Sequence, residues 1–114
     1  MKIKELVKIV KGKVLTKNLD LNGDVAGGFA ADLMSDVLTS IQPGSVLLTG
    51  LCHPQTVRTA QIADVSVIVL VRGKRPPAQL IAMAEGEGIV IITTKQGMFE
   101  ACGRLYEAGM PSLE

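Results

Sequence analysis

Residues 65–71 read VSVIVLV, a run in which every residue but Ser66 is apolar and most are β-branched. A membrane-spanning helix takes about twenty apolar residues, so this run is too short to cross a bilayer. It suits a strand, and a strand without polar alternation is one buried on both faces. Such burial requires helices above and below the sheet, which parallel sheets obtain from their crossover connections. The flanking segments meet that requirement. SVLLTG, opened by the turn PGS, reads as a strand, and PQTVRTAQIA follows as a helix with Pro54 at its first position. After VSVIVLV come the loop RGKRPP, a helix AQLIAMAE closed by Gly86 and Gly88, and the strand GIVIITT. A last helix of roughly three turns ends at Gly109 and Pro111. From Ser45 onward the pattern is strand–helix repeated three times, with short loops. The expectation is one compact α/β domain over residues 1–114, a largely parallel sheet with covering helices.

The first 44 residues are less regular. Ile3, Leu6, Val7 and Val10 fall at helical spacing, and Gly12 sits where a glycine stop belongs. KVLT reads as a short strand. DVAGGFA leads into a helix with Leu33, Met34, Val37, Leu38 and Ile41 on one stripe.

Composition narrows the function classes. The apolar fraction is 47%, yet the aromatic residues are only Phe29, Phe99 and Tyr106, so the core must be aliphatic. A reader of nucleic acid by base stacking needs more aromatic surface. A net charge of +1 offers no global field for a polyanion, so neither nucleic acid nor membrane is expected as a partner. Six lysines against Glu5 in the first seventeen residues read as a solvated helix face. Cys52 and Cys102 stand apart, without C-x-x-C spacing, and no secretory segment precedes them; reduced thiols in the cytoplasm are expected.

Familiar catalytic signatures are missing. There is no G-x-x-x-x-G-K-[ST], and the G-x-G at Gly86–Gly88 lies between a helix and a strand, the reverse of a dinucleotide fingerprint. No metal spacing occurs, and no cofactor is expected. Cys52 and His53 are adjacent, which points their side chains apart rather than into a thiolate–imidazole pair. Cys102 reads as a small core residue on a stripe with Phe99 and Leu105 or Tyr106. Asp32 and Asp36, one turn apart, read as a helix cap and a solvated acid. A small enzyme using Asp24, Asp32 or Asp36 with His53 is the weakest reading.

One constellation points to a ligand. The loops TGLCHP, RGKRPP and TTKQG belong to the carboxyl ends of the predicted parallel strands, where ligands of such sheets collect. They bring Thr49, His53, Arg72, Lys74, Arg75, Thr93, Thr94 and Lys95 to one edge, a set that suits phosphate or a nucleotide. The opposing reading is that Thr93 or Thr94 caps its helix and the basic loop is solvated.

DVAGG, with the following ADLMSDVL, LCHP, VIVLVRGKRP and ITTKQGMFEACGRLYEAG, resembles the DRTGG domain over nearly the whole chain. Asp24, Gly27 and Gly28 match the motif; Val25 and Ala26 stand where it has arginine and threonine. The resemblance implies a fold like the N-terminal domain of HPr kinase/phosphorylase, itself similar to a uridine-nucleotide-binding domain of Mur ligases. It also implies a role beside phosphotransacetylases or CBS-domain pyrophosphatases that is regulatory or dimer-forming, not catalytic. The expected protein is a non-enzymatic, homodimeric module that senses a nucleotide or other phosphate-bearing anion, with Gly27 and Gly28 near the ligand. The alternative is an oligomerisation or partner-docking protein with no small ligand.

Overall fold

The computed structural model describes residues 1–114. The elements run α1 (Ile3–Ile9), β1 (Lys13–Val14), β2 (Gly27–Ala30), α2 (Met34–Ser40), β3 (Ser45–Thr49), α3 (Pro54–Ile62), β4 (Val67–Leu70), α4 (Ala78–Glu87), β5 (Val90–Thr93) and α5 (Met98–Glu107). The sheet order is β1-β5-β4-β3-β2, parallel throughout except for β1, which runs antiparallel to β5.

Side-chain alternation along the strands divides the core into two layers. Val46, Leu48, Val67, Val69, Val71, Val90 and Ile92 face α1 and α5, and meet Ile3, Leu6, Val10, Ala101 and Leu105. Leu47, Ile68, Leu70 and Ile91 face α2, α3 and α4, and meet Met34, Val37, Val57, Ala60, Leu80 and Ala84. Every residue of β3 and β4 is buried, as the VSVIVLV run requires. Three successive crossovers of one hand step from β2 to β5 in one direction, so α2, α3 and α4 share a face. The chain then crosses to the other face for α5.

Several local expectations change. Gly12 is not the left-handed stop of α1: Lys11 takes that conformation at φ 51°, and Gly12 lies against β5. Backbone bonds fasten this corner, with Lys11 N donating to Lys8 O at 3.1 Å and Gly12 N to Val7 O at 2.8 Å. Gly86 lies inside α4, and Gly88 alone ends it in the left-handed region. In α2, Met34 and Val37 are buried; Leu33 stands before the helix as its N-cap and is exposed, and Leu38 is exposed on the outer face. On α5 the inward stripe is Met98, Ala101 and Leu105, with Cys102 half-buried beside it; Phe99 and Tyr106 point outward.

The glycine pair Gly27–Gly28 begins strand β2, four residues of the segment that leads into α2. β2 is the edge strand of the parallel sheet, and residues 111–113 run alongside its open side. Gly28 N donates to Pro111 O at 2.9 Å, and Leu113 N donates to Gly28 O at 3.0 Å. A Cβ on Gly27 would sit 2.6 Å from Pro111 O and 2.5 Å from Leu113 Cγ; one on Gly28 would sit 3.1 Å from Met110 Sδ. A glycine in a strand marks close approach of another backbone, and here the partner is the chain's own C-terminal segment. Gly27→Ala should therefore destabilise the fold by about 1–3 kcal/mol in urea denaturation. In a chain ending at Met110 the same substitution should cost well under about 1 kcal/mol, since the colliding atoms are gone. Equal costs in the two backgrounds would remove the C-terminal segment as the cause.

Candidate functional site

The change of side after β5 opens a crevice at the carboxyl edge of the sheet. The loop after β4 turns toward α4 on one face, and the loop after β5 turns toward α5 on the other. In parallel sheets a crevice opens between loops that part in this way. A cleft of about 920 Å³ lies there, lined by residues 73–76 and 93–96 with Lys11, Lys13, Leu15 and Ile81. Five lining residues are cations, Lys11, Lys13, Lys74, Arg75 and Lys95, and none is acidic.

Hydrogen bonds fix this frame. Arg72 N donates to Gln96 O and Gly73 N to Thr94 O, both at 2.8 Å, which ties the two loops at their base. Thr93 Oγ1 donates to Lys74 O at 3.2 Å. The buried Thr94 hydroxyl donates to Val10 O at 2.6 Å and accepts from Gln96 N at 3.1 Å, so it holds the end of α1 at the rim. Neither threonine caps α5, whose N-cap is Gly97. Antiparallel pairing sets Lys13 opposite Thr93. The chain's two ion pairs, Arg72–Asp32 and Arg104–Glu100, lie elsewhere, leaving Lys11, Lys13, Arg75 and Lys95 without a carboxylate partner. The Lys74 ammonium donates to the Gly50 carbonyl.

Of the residues expected at a ligand edge, Lys74, Arg75, Thr93, Thr94 and Lys95 line this cleft. Thr49 and Arg72 belong to a separate cluster around Asp32. Asp32 precedes α2 and does not cap it. Its Oδ1 accepts from Gly50 N at 2.6 Å and from Thr49 Oγ1 at 3.3 Å, while Oδ2 lies 3.6 Å from Arg72 Nη2. The Gly50 amide is the largest influence and holds the Asp32 carboxyl below its ordinary value; burial opposes it as the next largest, and the Thr49 hydroxyl and the Arg72 and Lys74 charges add smaller lowering effects. Asp36 sits apart from it, in the first turn of α2. His53 is the N-cap of α3, with Nδ1 accepting from Gln55 N at 3.0 Å. Burial pushes the Cys52 thiol up, with Lys74 opposing, and burial pushes Cys102 up as well.

The family model of the DRTGG domain matches residues 5–108. The chain belongs to the DRTGG domain family. A solved structure of similar fold is the crystal structure of the CBS and DRTGG domains of the regulatory region of Clostridium perfringens pyrophosphatase, complexed with the activator diadenosine tetraphosphate. It superimposes with a TM-score of 0.76 at 18% identity, over 96% of this chain and 47% of that one. This chain thus spans about half the length of that structure, and at such identity the likeness is one of fold. No curated protein matches the sequence.

In this DRTGG domain the motif residues stand away from the basic cleft. Asp24 is exposed and pairs through its backbone with Lys2, and Gly27 and Gly28 lie under residues 110–113 on the far edge of the sheet. Lys11, Lys13 and Gln96 line the cleft unanticipated. The strand KVLT was legible, but its pairing with β5, which carries the lysines there, was not. The Asp32 clamp gives a pH signature. Asp32→Ala should cost about 1 kcal/mol near neutral pH, the low end for a charged hydrogen-bond acceptor because the side chain is exposed. The folded carboxyl titrates below the unfolded one, so this contribution is present above about pH 4 and fades as pH falls through the folded value. A stability gap unchanged in acid, measured by urea denaturation, would contradict that origin.

Proposed function

We propose that this chain is a non-catalytic regulatory module that takes a phosphate-bearing ligand of nucleotide class into the basic cleft. The observation that carries this reading is five cations and no acid around about 920 Å³, between loops that part to opposite faces. That volume lies in the range of about 300–1,000 Å³ common for small-molecule sites. Ammonium and guanidinium groups make charge-assisted hydrogen bonds to phosphate oxygens, and four of the five lack a competing carboxylate. The Clostridium perfringens region, alike in fold, is described with a dinucleoside tetraphosphate as activator. A role without catalysis fits His53, which is engaged as a cap, and two thiols whose burial favours the protonated form.

Thermal-shift titration with ATP and UTP at low salt tests the ligand. Binding to the native state must raise stability, by about 2.7 kcal/mol at a hundredfold excess over Kd. The paired substitution Lys13→Ala with Lys95→Ala should weaken binding about tenfold, and added salt should weaken it in the native chain. An unshifted transition at millimolar nucleotide would sink this reading.

A homodimer through α5 completes the proposal. Phe99 is 95% exposed and Tyr106 73% exposed, two of the chain's three aromatic residues, with Gly103 in the open space between them. Exposed aromatics of this kind are common at subunit contacts. Light scattering should report a dimer, and Phe99→Glu with Tyr106→Glu should yield a monomer; a native monomer at high concentration would overturn the pairing. The alternative, a docking protein without a ligand, rests on the same face and is separated from the first reading by the nucleotide titration. The two free cysteines fit a reducing compartment such as the cytoplasm, and no helix is long and apolar enough to cross a membrane.

A further inference from the structure

We infer that Gln96 is the specificity-determining residue of the cleft, and that it reads the hydrogen-bonding edge of a nucleobase while the cations hold the phosphates. This rests on the ligand reading proposed above and deepens it. Gln96 lines the basic cleft, is 8% exposed, and carries an Oε1 and an Nε2 that both lack any hydrogen-bond partner. Its backbone is fully engaged, N with Thr94 Oγ1 and O with Arg72 N, so the residue is pinned between the two loops. The carboxamide is the one buried polar group there with unused bonding capacity.

Buried polar groups are nearly always paired, and an orphaned one calls for a function or a missing partner. A phosphate oxygen is an acceptor only, so it can satisfy the amide nitrogen and leaves the amide oxygen bare. A partner that satisfies both must present a donor beside an acceptor. Nucleobase edges do so, as in the two-point contact between a carboxamide and the N6 and N7 atoms of adenine. The carboxamide atoms are closed off from solvent, so contact requires the side chain to turn toward the cleft that its residue lines. A base edge in the cleft supplies the two partners that would offset the cost of that turn. The five cations around it meet the charge that such a ligand carries.

The test is calorimetric titration of the full chain and of Gln96→Leu with ATP, UTP and inorganic tripolyphosphate. Leucine keeps the bulk and removes the two unpaired atoms, so the variant is expected to fold with undiminished thermal stability. The native chain should prefer one or both nucleotides over tripolyphosphate by about tenfold or more, as expected for a two-point base contact. The variant should bind tripolyphosphate as the native chain does and lose the nucleotide preference, a change in ratio that a purely structural role would not produce. A preference for ATP or for UTP supports the proposal equally and names the base edge. Tripolyphosphate binding with no nucleotide preference in the native chain overturns the Gln96 proposal alone and leaves the anion site standing. A preference that survives in the variant does the same. Failure of all three compounds to bind the native chain at millimolar concentration overturns both.

Discussion

The strands at the centre of this molecule have no face left for water. β3 and β4 are buried at every residue, with alternate side chains committed to opposite helical layers. Each fully buried Val, Leu or Ile among them contributes about 1.5–3 kcal/mol, so exposing either face would remove a large share of the driving force for folding. Two layers of helix are therefore obligatory. Handed crossovers put α2, α3 and α4 on one side, and the remaining layer must come from the two ends of the chain, α1 and α5. The change of side between α4 and α5 is what parts the loops after β4 and β5. The basic cleft is thus a by-product of covering the sheet.

The same requirement brings the chain's ends to the sheet edges. β1, following α1, pairs with β5, and the segment following α5 pairs with β2. Both edges of the central parallel strands are thereby occupied, which protects a sheet that would otherwise offer open backbone to another chain. The glycine pair in β2 belongs to this arrangement, because the backbone at 111–113 lies where a side chain on Gly27 would project. The acid of the motif also serves structure, in a backbone pairing with Lys2. The motif stretch works as a seam.

Charge follows topology in the same way. Lys11 and Lys13 belong to the amino-terminal cluster that reads, along the chain, as a solvated face. Thr94, bonded to Val10 O, and the register of β1 on β5 carry them to the rim that Lys74, Arg75 and Lys95 already occupy. Like charges gathered without acids between them oppose folding slightly, and an anion that neutralises them relieves that opposition. Asp32 shows the contrary arrangement a short distance along the same edge, where Arg72 is matched by a carboxylate and the Gly50 amide is satisfied.

The sequence by itself determined the class of fold. Aliphatic runs at 46–48, 67–71 and 89–92, separated by helical patterns, admit little except a parallel sheet between helices, because strand burial and helix periodicity are local properties. It also carried the family resemblance and half of the cleft, the loops at 72–76 and 93–95, since loops after parallel strands share an edge whatever the details. Only the tertiary structure decided which of those loops face a common space. Thr49 and Arg72 went to Asp32, and Gly27 with Gly28 to the far edge. β2 was illegible because glycine has low strand preference, and its reason to be glycine lies at the other end of the chain, in Pro111 and Leu113. Lys11, Lys13 and Gln96 were hidden for a like reason: which lysine meets which loop, and which amide lacks a partner, depend on contacts distant in sequence that no local pattern records.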